Sequence, residues 1–565
     1  NLYNRFLADI TDLLRVCPHH RLAREYWYDK FKTNPPGFTL SACPHDIPLW
    51  AWRQTEYMGY VKGYIRWWID KRQIDNGEFG GGLSDDGDLT AWWPGPALAG
   101  CMPEKIGKSL ALEMEAFYDQ GMFSNGLCAI QTDQLHTLEE GIQCLGQCLT
   151  LFPASPRYIE RAMENVRGLY YVTGYNKAGH RHMLSGYYSG TRIAKEAPWN
   201  YSASDSFHVF HPAYMLARYN GSPKARKLIL EMADSMMDHY YDGRLHVLID
   251  VETDADQIHE RTREWPLFYA AWKLTGNADY LKPIAAEYSR QQQDRAADGR
   301  TREKAAAEYE DLIRKAALRE YINTDGQLWV DRGVIDIAVM QQDRIGGVGH
   351  ERFSLYPRHF FRWYFPESRE TDVAVMVTWA SAEKICFSAF NLSDETITAE
   401  WIPEDIIPGK WKIRIGTGET PENTVWEKEE TLDLEWMKGT RISFEGGCST
   451  NVEFTLIKKA VPYWERTDLA IDREDVQVKA DCIRVKVHNI GAADSQETTL
   501  VLKSPDGEVL RSSQIPPIPA PSDLYPKTME IPLWTRGLLL EGCVIELDPE
   551  HRLNEITRTN NRIVL

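Results

Sequence analysis

The chain has no long hydrophobic run. Among its 565 residues, none of the stretches approaches the roughly 18 to 20 consecutive apolar residues that a bilayer-spanning helix needs. Even the apolar segment from Tyr57 to Ile69 is interrupted by Lys62 and Arg66, so we expect no membrane span. The chain as printed begins at Asn1 with neither an initiator Met nor a signal-peptide pattern. A secretion signal removed by processing therefore stays an open alternative.

The chain has fewer basic than acidic residues. The sequence carries 64 Lys and Arg against 82 Asp and Glu, which gives a formal net charge of −18. Because such a charge repels a phosphate backbone, nucleic acid is not an expected partner. The sequence also has no P-loop, nucleophile elbow or dinucleotide-binding fingerprint, so no nucleotide cofactor is expected.

Cysteine is too sparse for a disulfide scaffold. Ten cysteines are spread along the chain, and we interpret most of them as small buried apolar side chains. Cys144 and Cys148 are four residues apart in a helical segment, but no Cys or His around them completes a ligand set. We therefore expect no metal among the site residues and no required cofactor.

Three segments of the first half share one pattern: an apolar helix end, a short turn and a new amphipathic helix. They start at Cys148, Leu216 and Trp272, and each predicts a helical hairpin. In the second segment, Ser222 is an expected N-cap and Pro223 takes the first helical position. One helical face then follows, with Leu228, Met232, Ser235, Met236 and His239. A similar stripe predicts a helix through Tyr57, Val61, Tyr64, Ile65 and Trp68.

Hairpins that recur about 55 to 70 residues apart must stack to bury their apolar faces. Long aromatic and Gly-rich loops, such as residues 75–100 and 186–206, favour a closed ring over a uniform solenoid. The pattern resembles the (α/α) toroid of polysaccharide lyases and some glycoside hydrolases. This resemblance implies a helical catalytic domain over residues 1–366.

After Phe365 and Pro366 the pattern changes to short β-branched runs that alternate apolar and polar residues. These runs begin at Asp372, Lys384, Thr396, Trp411, Arg441 and Asn451. Short strands at regular spacing predict an antiparallel β-sandwich over residues 367–460. A β-sandwich behind a toroid is common in toroidal lyases, so the order of domains also resembles that class.

A second β region follows a linker near residues 460–466. Its segments Val487 to Ser495 and Thr499 to Leu510, together with a closing pattern, resemble the CARDB family of bacterial immunoglobulin-like domains. The closing pattern contains Asp548-Pro549, Asn554-Glu555 and Asn560-Asn561. The resemblance implies an immunoglobulin-like domain over residues 467–565 and a secreted or periplasmic bacterial protein. The predicted fold class is thus multidomain α plus β.

The loop after Asp75 combines the glycines Gly80 to Gly82 with several carboxylates and two indoles. Glycines permit backbone conformations and close approaches that side chains block. Aromatic faces beside carboxylates suit a sugar, whose C–H face stacks on a ring while its hydroxyls donate to the acids. We predict substrate binding by Glu78, Asp85, Asp86, Trp92 and Trp93. Two alternatives stay open: a turn with a solvated acidic tip above two core tryptophans, and a structural Ca²⁺ on Asp85, Asp86 and Asp88.

The densest group of titratable side chains lies in residues 179–212. His180 and His182 share a face if their segment is a strand, and His208 and His211 share a helical face, so no zinc triad is expected. A lyase acting on a uronate needs a neutraliser for the carboxylate, a base for the C5 proton and an acid for the leaving oxygen. Toroidal lyases often use Tyr and His as acid and base. By residue type and proximity in the sequence, Tyr187, Tyr188 or Tyr201 with His208 or His211 would fill these catalytic roles, and Arg192 or Asn200 would neutralise the carboxylate.

A glycoside hydrolase would instead need two carboxylates that flank the scissile bond. Asp85 or Asp86 would pair with Glu78, or with Glu139 or Glu140. The two glutamates follow His136, which we predict to bind substrate. A structural role for Glu139 and Glu140 stays open. The segment that joins the toroid to the sandwich adds two predicted substrate contacts, His350 and Arg358, with interdomain packing as the alternative.

The leading hypothesis is a polysaccharide lyase that cleaves a uronate-containing polysaccharide or oligosaccharide by β-elimination. A glycoside hydrolase on the same toroid is the first alternative. A non-catalytic glycan-binding or adhesion protein is the second, because the CARDB-like end is typical of such proteins.

Overall fold

The structure is a computed structural model that describes residues 2–202, 208–257, 265–286, 288–289, 300–327, 329–349, 357–420, 423–461 and 463–565. Its α-helices are α1 Leu2–Val16, α2 Arg21–Phe31, α3 Leu49–Lys71, α4 Leu83–Thr90, α5 Pro94–Leu98, α6 Pro103–Asp119, α7 Gln134–Thr137, α8 Gln143–Leu151, α9 Pro156–Val172, α10 His211–Asn220, α11 Pro223–Met237, α12 Trp265–Thr275, α13 Arg302–Ala317 and α14 Ala338–Ile345.

Short strands lie between these helices, and longer strands follow them. The short strands are β1 Phe123–Ser124, β2 Leu127–Cys128, β3 Thr132–Asp133, β4 Thr173–Tyr175, β5 Arg181–Met183, β6 Tyr187–Tyr188, β7 Tyr201–Ser202, β8 Tyr240–Tyr241, β9 Arg244–Leu245, β10 Leu248–Asp250 and β11 Asp256–Gln257. The later strands are β12 Phe361–Tyr364, β13 Val373–Ala380, β14 Lys384–Asn391, β15 Ile397–Pro403, β16 Gly409–Thr417, β17 Val425–Leu434, β18 Thr440–Phe444, β19 Ser449–Lys459, β20 Leu469–Ala470, β21 Val476–Lys479, β22 Cys482–Asn489, β23 Thr498–Lys503, β24 Val509–Ile515, β25 Thr528–Trp534, β26 Val544–Leu547 and β27 Arg562–Val564.

The chain divides into two compact units. The first unit takes its described residues from Asn1–Glu113, Gln291–Arg352 and Pro357–Ala460, and the second takes them from Met114–Arg290, Phe353–Tyr356 and Val461–Leu565. Each unit contains both helices and antiparallel sheets, so the predicted multidomain α plus β class is confirmed. The division into three domains stays a prediction. Among the described helices, none is long and apolar enough to cross a membrane.

The helical expectations of the sequence can be checked residue by residue. The predicted stripe from Tyr57 to Trp68 lies on α3, and all five of its side chains are buried. Helices α8 and α9 form the first predicted hairpin, and α10 and α11 form the second. Ser222 caps α11 as expected, because its hydroxyl accepts the backbone N–H of Ala225. The third segment continues after α12 as a 3-10 helix, Ala278–Leu281, in place of an immediate α-helix.

The β region of the first unit contains two antiparallel sheets. The strand order is β12-β15-β18 in one sheet and β13-β14-β19-β16-β17 in the other. Aromatic rings from the two sheets contact each other: Trp401 of β15 stacks on Phe454 of β19 with ring centroids 4.1 Å apart. Trp363 of β12 meets Phe387 of β14 edge to face at 5.5 Å. These contacts bury the large side chains that alternate along each strand.

The β region of the second unit has a core of its own. One sheet has the order β20-β22-β21, with β25 also paired to β22, and the other has the order β24-β23-β26-β27. Alternate residues of β22, β23 and β26 point into one apolar cluster, as the two-residue period of a strand requires. The cluster includes Ile483, Val485, Val487, Leu500, Leu502, Ile545 and Leu547.

Candidate functional site

A partly exposed group of acid, imidazole and aromatic side chains lies in the second unit. Strand β3 pairs with β6, and this pairing places Asp133 directly opposite Tyr187. Side chains of directly opposed residues project from the same face of an antiparallel pair. We call this group the Tyr187 surface, and it consists of Asp133, His136, Tyr187, Trp199 and Tyr201.

Asp133 holds His136 in place. One Asp133 oxygen accepts the backbone N–H of His136 at 3.0 Å, which caps the short helix α7. Both carboxylate oxygens also lie 2.9 Å from Nδ1 of the His136 ring. The hydrogen bond to Asp133, and then the Asp133 charge, raise the pKa of His136 above its usual value despite partial burial. The imidazole is about half exposed, at 54%, so it can meet a ligand.

The aromatic part of the Tyr187 surface is held by a closed loop. The rings of Tyr187 and Trp199 stack with centroids 4.6 Å apart and an interplanar angle of 27°. The Gly186 N–H donates to the carbonyl of Trp199 at 2.9 Å, and the Ser185 hydroxyl accepts the N–H of Tyr187. A Cβ on Gly186 would lie 2.7 Å from the Tyr201 ring, so a larger residue there would displace that ring. Burial, and then the Asp133 charge, raise the pKa of Tyr201.

The other residues predicted for catalysis lie elsewhere in the second unit. Tyr188 is fully buried, and burial raises the pKa of its phenol well above the usual value. His208 lies three residues before α10 and His211 is its first residue, and both are buried, with 3% and 0% exposure. Arg192 is exposed, whereas the Asn200 amide donates to Asp250 at 2.8 Å. The fold therefore brings Tyr187 and Tyr201 close to Asp133 and His136, and it places Tyr188, His208 and His211 in the interior.

The glycine-rich loop of the first unit closes around Asp86. The two Asp86 oxygens accept the N–H groups of Phe79 and Gly81 at 2.8 and 2.9 Å. Gly80 and Gly82 have φ of +97° and +85°, and a Cβ on Gly81 would lie 2.7 Å from Val330, so the expected need for glycine is confirmed. Asp86 is fully buried, and burial raises its pKa although the backbone donors oppose this.

The remaining predicted substrate contacts of the first unit differ in exposure. Trp93 is buried and packs edge to face on Phe79, with ring centroids 5.3 Å apart. Glu78, Asp85 and Trp92 are half-buried. For Asp86 and Trp93 the geometry favours the alternative of a structural role. Arg358 is only 3% exposed. His350 lies outside the described residues.

An imidazole cluster in the second unit was not found by sequence reasoning. It consists of His180, His182, His239 and Asp254, whose ligand atoms all lie within 4.8 Å of one another. Burial, and then the neighbouring His239, lower the pKa of His182 to about 4, which favours a neutral ring. The spacing of His180 and His182 predicts only that they share one face of a strand. Nothing local in the sequence connects them with His239 and Asp254.

A cavity of about 680 Å³ lies in the first unit beside α2 and α3. Aromatic and carboxylate side chains share its wall: Tyr60, Tyr64, Trp67, Tyr321, Glu25, Glu56 and Glu320. Burial raises the pKa of Glu25, although hydrogen bonds from Arg21 and from the Tyr321 N–H act in the other direction. A raised pKa favours the protonated carboxyl, which is the form that a general acid needs.

No protein-family model matches this chain, and no curated protein is significantly similar to it.

Proposed function

We propose that the protein is a polysaccharide lyase that cleaves a uronate-containing glycan by β-elimination at the Tyr187 surface. The observation that carries the proposal is the half-exposed His136, oriented by Asp133 on the strand pair that also presents Tyr187. The resemblance of the helical hairpins to a toroid, and of the C-terminal region to CARDB domains, supports a secreted or periplasmic carbohydrate-active enzyme.

His136 suits the role of the base. A carboxylate on Nδ1 favours the tautomer that carries its proton there, so Nε2 keeps the lone pair that accepts the C5 proton. The Asp133 charge then stabilises the imidazolium that forms. The electron pair of the C5–H bond becomes the C4–C5 double bond as the C4–O bond breaks.

Tyr201 suits the role of the acid. Its raised pKa keeps the phenol protonated at neutral pH, so the hydroxyl can donate to the departing oxygen. The stacked rings of Tyr187 and Trp199 offer a platform for the C–H face of a sugar. The exposed Arg192 lies between Tyr187 and Trp199 in the sequence and is suited to neutralise the uronate carboxylate.

The test is incubation of the purified chain with a panel of uronate-containing polysaccharides, followed by ultraviolet absorbance of the unsaturated uronate. We expect His136→Ala and Tyr201→Phe to lower kcat by about 10²- to 10⁴-fold, the usual contribution of an acid or base. His45→Ala and Tyr525→Phe are matched controls, because both residues are exposed and lie outside the Tyr187 surface. Full activity of both site variants would refute the assignment.

A glycoside hydrolase is the second candidate, and the cavity beside α2 and α3 favours it. A retaining or inverting hydrolase needs two carboxyl groups, and this aromatic cleft contains Glu25, whose pKa is raised, together with Glu56 and Glu320. A hydrolase would release new reducing ends without ultraviolet absorbance. This activity should be lost in Glu25→Gln and kept in Glu104→Gln, an exposed control.

A further inference from the structure

We propose that His180, His182, His239 and Asp254 form a tetrahedral zinc site in the second unit. The proposal is independent of the lyase assignment, since it rests only on the geometry of these four side chains. They come from three places along the chain: the β4–β5 hairpin, the end of α11 and the turn between β10 and β11.

The distances suit a small ion. The Asp254 carboxylate lies 3.0 Å from Nδ1 of His180 and 3.4 Å from Nε2 of both His182 and His239. Zinc bonds of about 2.0–2.1 Å in a tetrahedron place neighbouring ligand atoms about 3.3–3.4 Å apart. The three imidazole rings surround a common point, with centroids 5.4 to 5.9 Å apart.

The second observation that supports a metal is that ring nitrogens of the cluster are buried without hydrogen bonds. His182 is fully buried and His239 is 5% exposed. Both ring nitrogens of His182 and Nε2 of His239 are buried without a hydrogen-bond partner. Buried polar atoms without partners cost free energy and are rare in folded proteins. A metal ion bound by Nε2 of both rings removes most of this cost.

The outer ring nitrogens are already anchored. Nδ1 of His239 lies 2.6 Å from Asp256, and Nε2 of His180 lies 2.9 Å from Asp238. Asp256 in turn accepts the Tyr241 hydroxyl at 2.7 Å. Carboxylates on the far nitrogen of a ligating histidine fix its tautomer and make it a better ligand. These partners leave Nδ1 of His180 and Nε2 of His239 directed at Asp254.

The backbone places Asp254 for this role. Asp254 has φ of +63°, and its turn is closed by Asp250, whose Oδ1 accepts the N–H groups of Glu252 and Thr253. The Asn176 amide also donates to Asp254. The same turn follows β10, which pairs with β7. A bound ion would therefore tie the turn to the β4–β5 hairpin and to the end of α11.

Three imidazoles and one carboxylate select the class of metal. Calcium and magnesium prefer sites made only of oxygen ligands, whereas imidazole suits zinc and its neighbours in the first transition row. Four protein ligands in a half-buried to buried setting match a closed structural site rather than an open catalytic one. Cobalt(II) adopts the same site geometry as zinc and supplies a visible absorption spectrum.

The experiment uses the full chain without an affinity tag. After removal of metals by a chelator and dialysis, Zn²⁺ or Co²⁺ alone is added, and bound metal is counted by mass spectrometry. We expect one zinc per chain, a tetrahedral Co²⁺ spectrum and a rise in Tm on the order of 5 °C at zinc 100-fold above Kd. Asp254→Asn and His182→Gln should weaken binding at least 10-fold, whereas His45→Ala should not.

Two results would overturn the proposal. One is a wild-type chain that is folded by circular dichroism yet binds less than about a tenth of an equivalent of zinc at zinc concentrations that saturate a micromolar site. The other is an unchanged Co²⁺ spectrum and zinc affinity in both ligand variants. Asp254→Asn keeps the size of the side chain, and metal binding by the wild-type chain is informative even if His182→Gln fails to fold.

Discussion

Replacing Asp86 by Ala should destabilise the first unit. The substitution removes the acceptor of two backbone N–H groups, those of Phe79 and Gly81, in a fully buried position. A hydrogen bond to a charged group contributes about 1.5–3 kcal/mol, so the loss of two should lower the free energy of unfolding by about 3–6 kcal/mol. The glycine loop from Gly80 to Gly82 loses the side chain around which it closes.

The assay is urea unfolding followed by tryptophan fluorescence, with activity measured on the same samples. Asp85→Ala is the matched control, because Asp85 is the preceding residue on α4 and is half-buried. We expect the control to change stability by less than about 1 kcal/mol. An Asp86→Ala chain that unfolds at the wild-type urea concentration but loses activity would refute the structural role and restore Asp86 as a substrate contact.

Three further predictions concern the second unit. Burial raises the pKa of Asp468 to about 7 and that of Glu555 to about 8. The stability that these two groups contribute is therefore fully present below about pH 4 and is lost as pH rises to between 7 and 8, and Glu555→Gln should flatten this dependence in thermal melts between pH 5 and 8. Gly190→Ala should lower the free energy of unfolding in urea by about 1–3 kcal/mol, because its Cβ would overlap the Ser124 carbonyl oxygen. The control Gly179→Ala has open space around its Cβ and should lower it by no more than about 1–2 kcal/mol, because of the positive φ at this position. Tyr219→Phe should cost about 1.5–3 kcal/mol by the same measurement, since its hydroxyl donates to the buried Asp468 at 2.8 Å; an unchanged unfolding curve would contradict that reasoning.

Local patterns account for the parts of the fold that sequence reasoning predicted. The stripe on α3 and the Ser222 cap depend on residues within a few positions of each other, and both are confirmed. Each of the six predicted runs contains or overlaps a strand between β13 and β19. Strand β17 was missed because Val425–Leu434 carries Glu, Lys and Asp on both faces, so the apolar alternation is absent.

The candidate sites depend on pairings that are distant in the sequence. His136 was singled out from its neighbourhood, but its relation to Tyr187 requires the register of β3 on β6. His239 and Asp254 reach His182 only after α11 and the β10–β11 turn have folded back on the β4–β5 hairpin. His208 and His211 were predicted to be catalytic from the residues around them in the sequence, but their side chains are buried. Burial of a single histidine cannot be derived from its neighbours alone.

β-Elimination at the Tyr187 surface is best tested by the ultraviolet trace of wild-type protein and His136→Ala on the same uronate-containing glycans. A base role for His136 predicts rising absorbance with the wild-type chain and a rate lower by at least about 100-fold with the variant, at unchanged Tm. A flat wild-type trace on every uronate, or equal rates for the two chains, would contradict it.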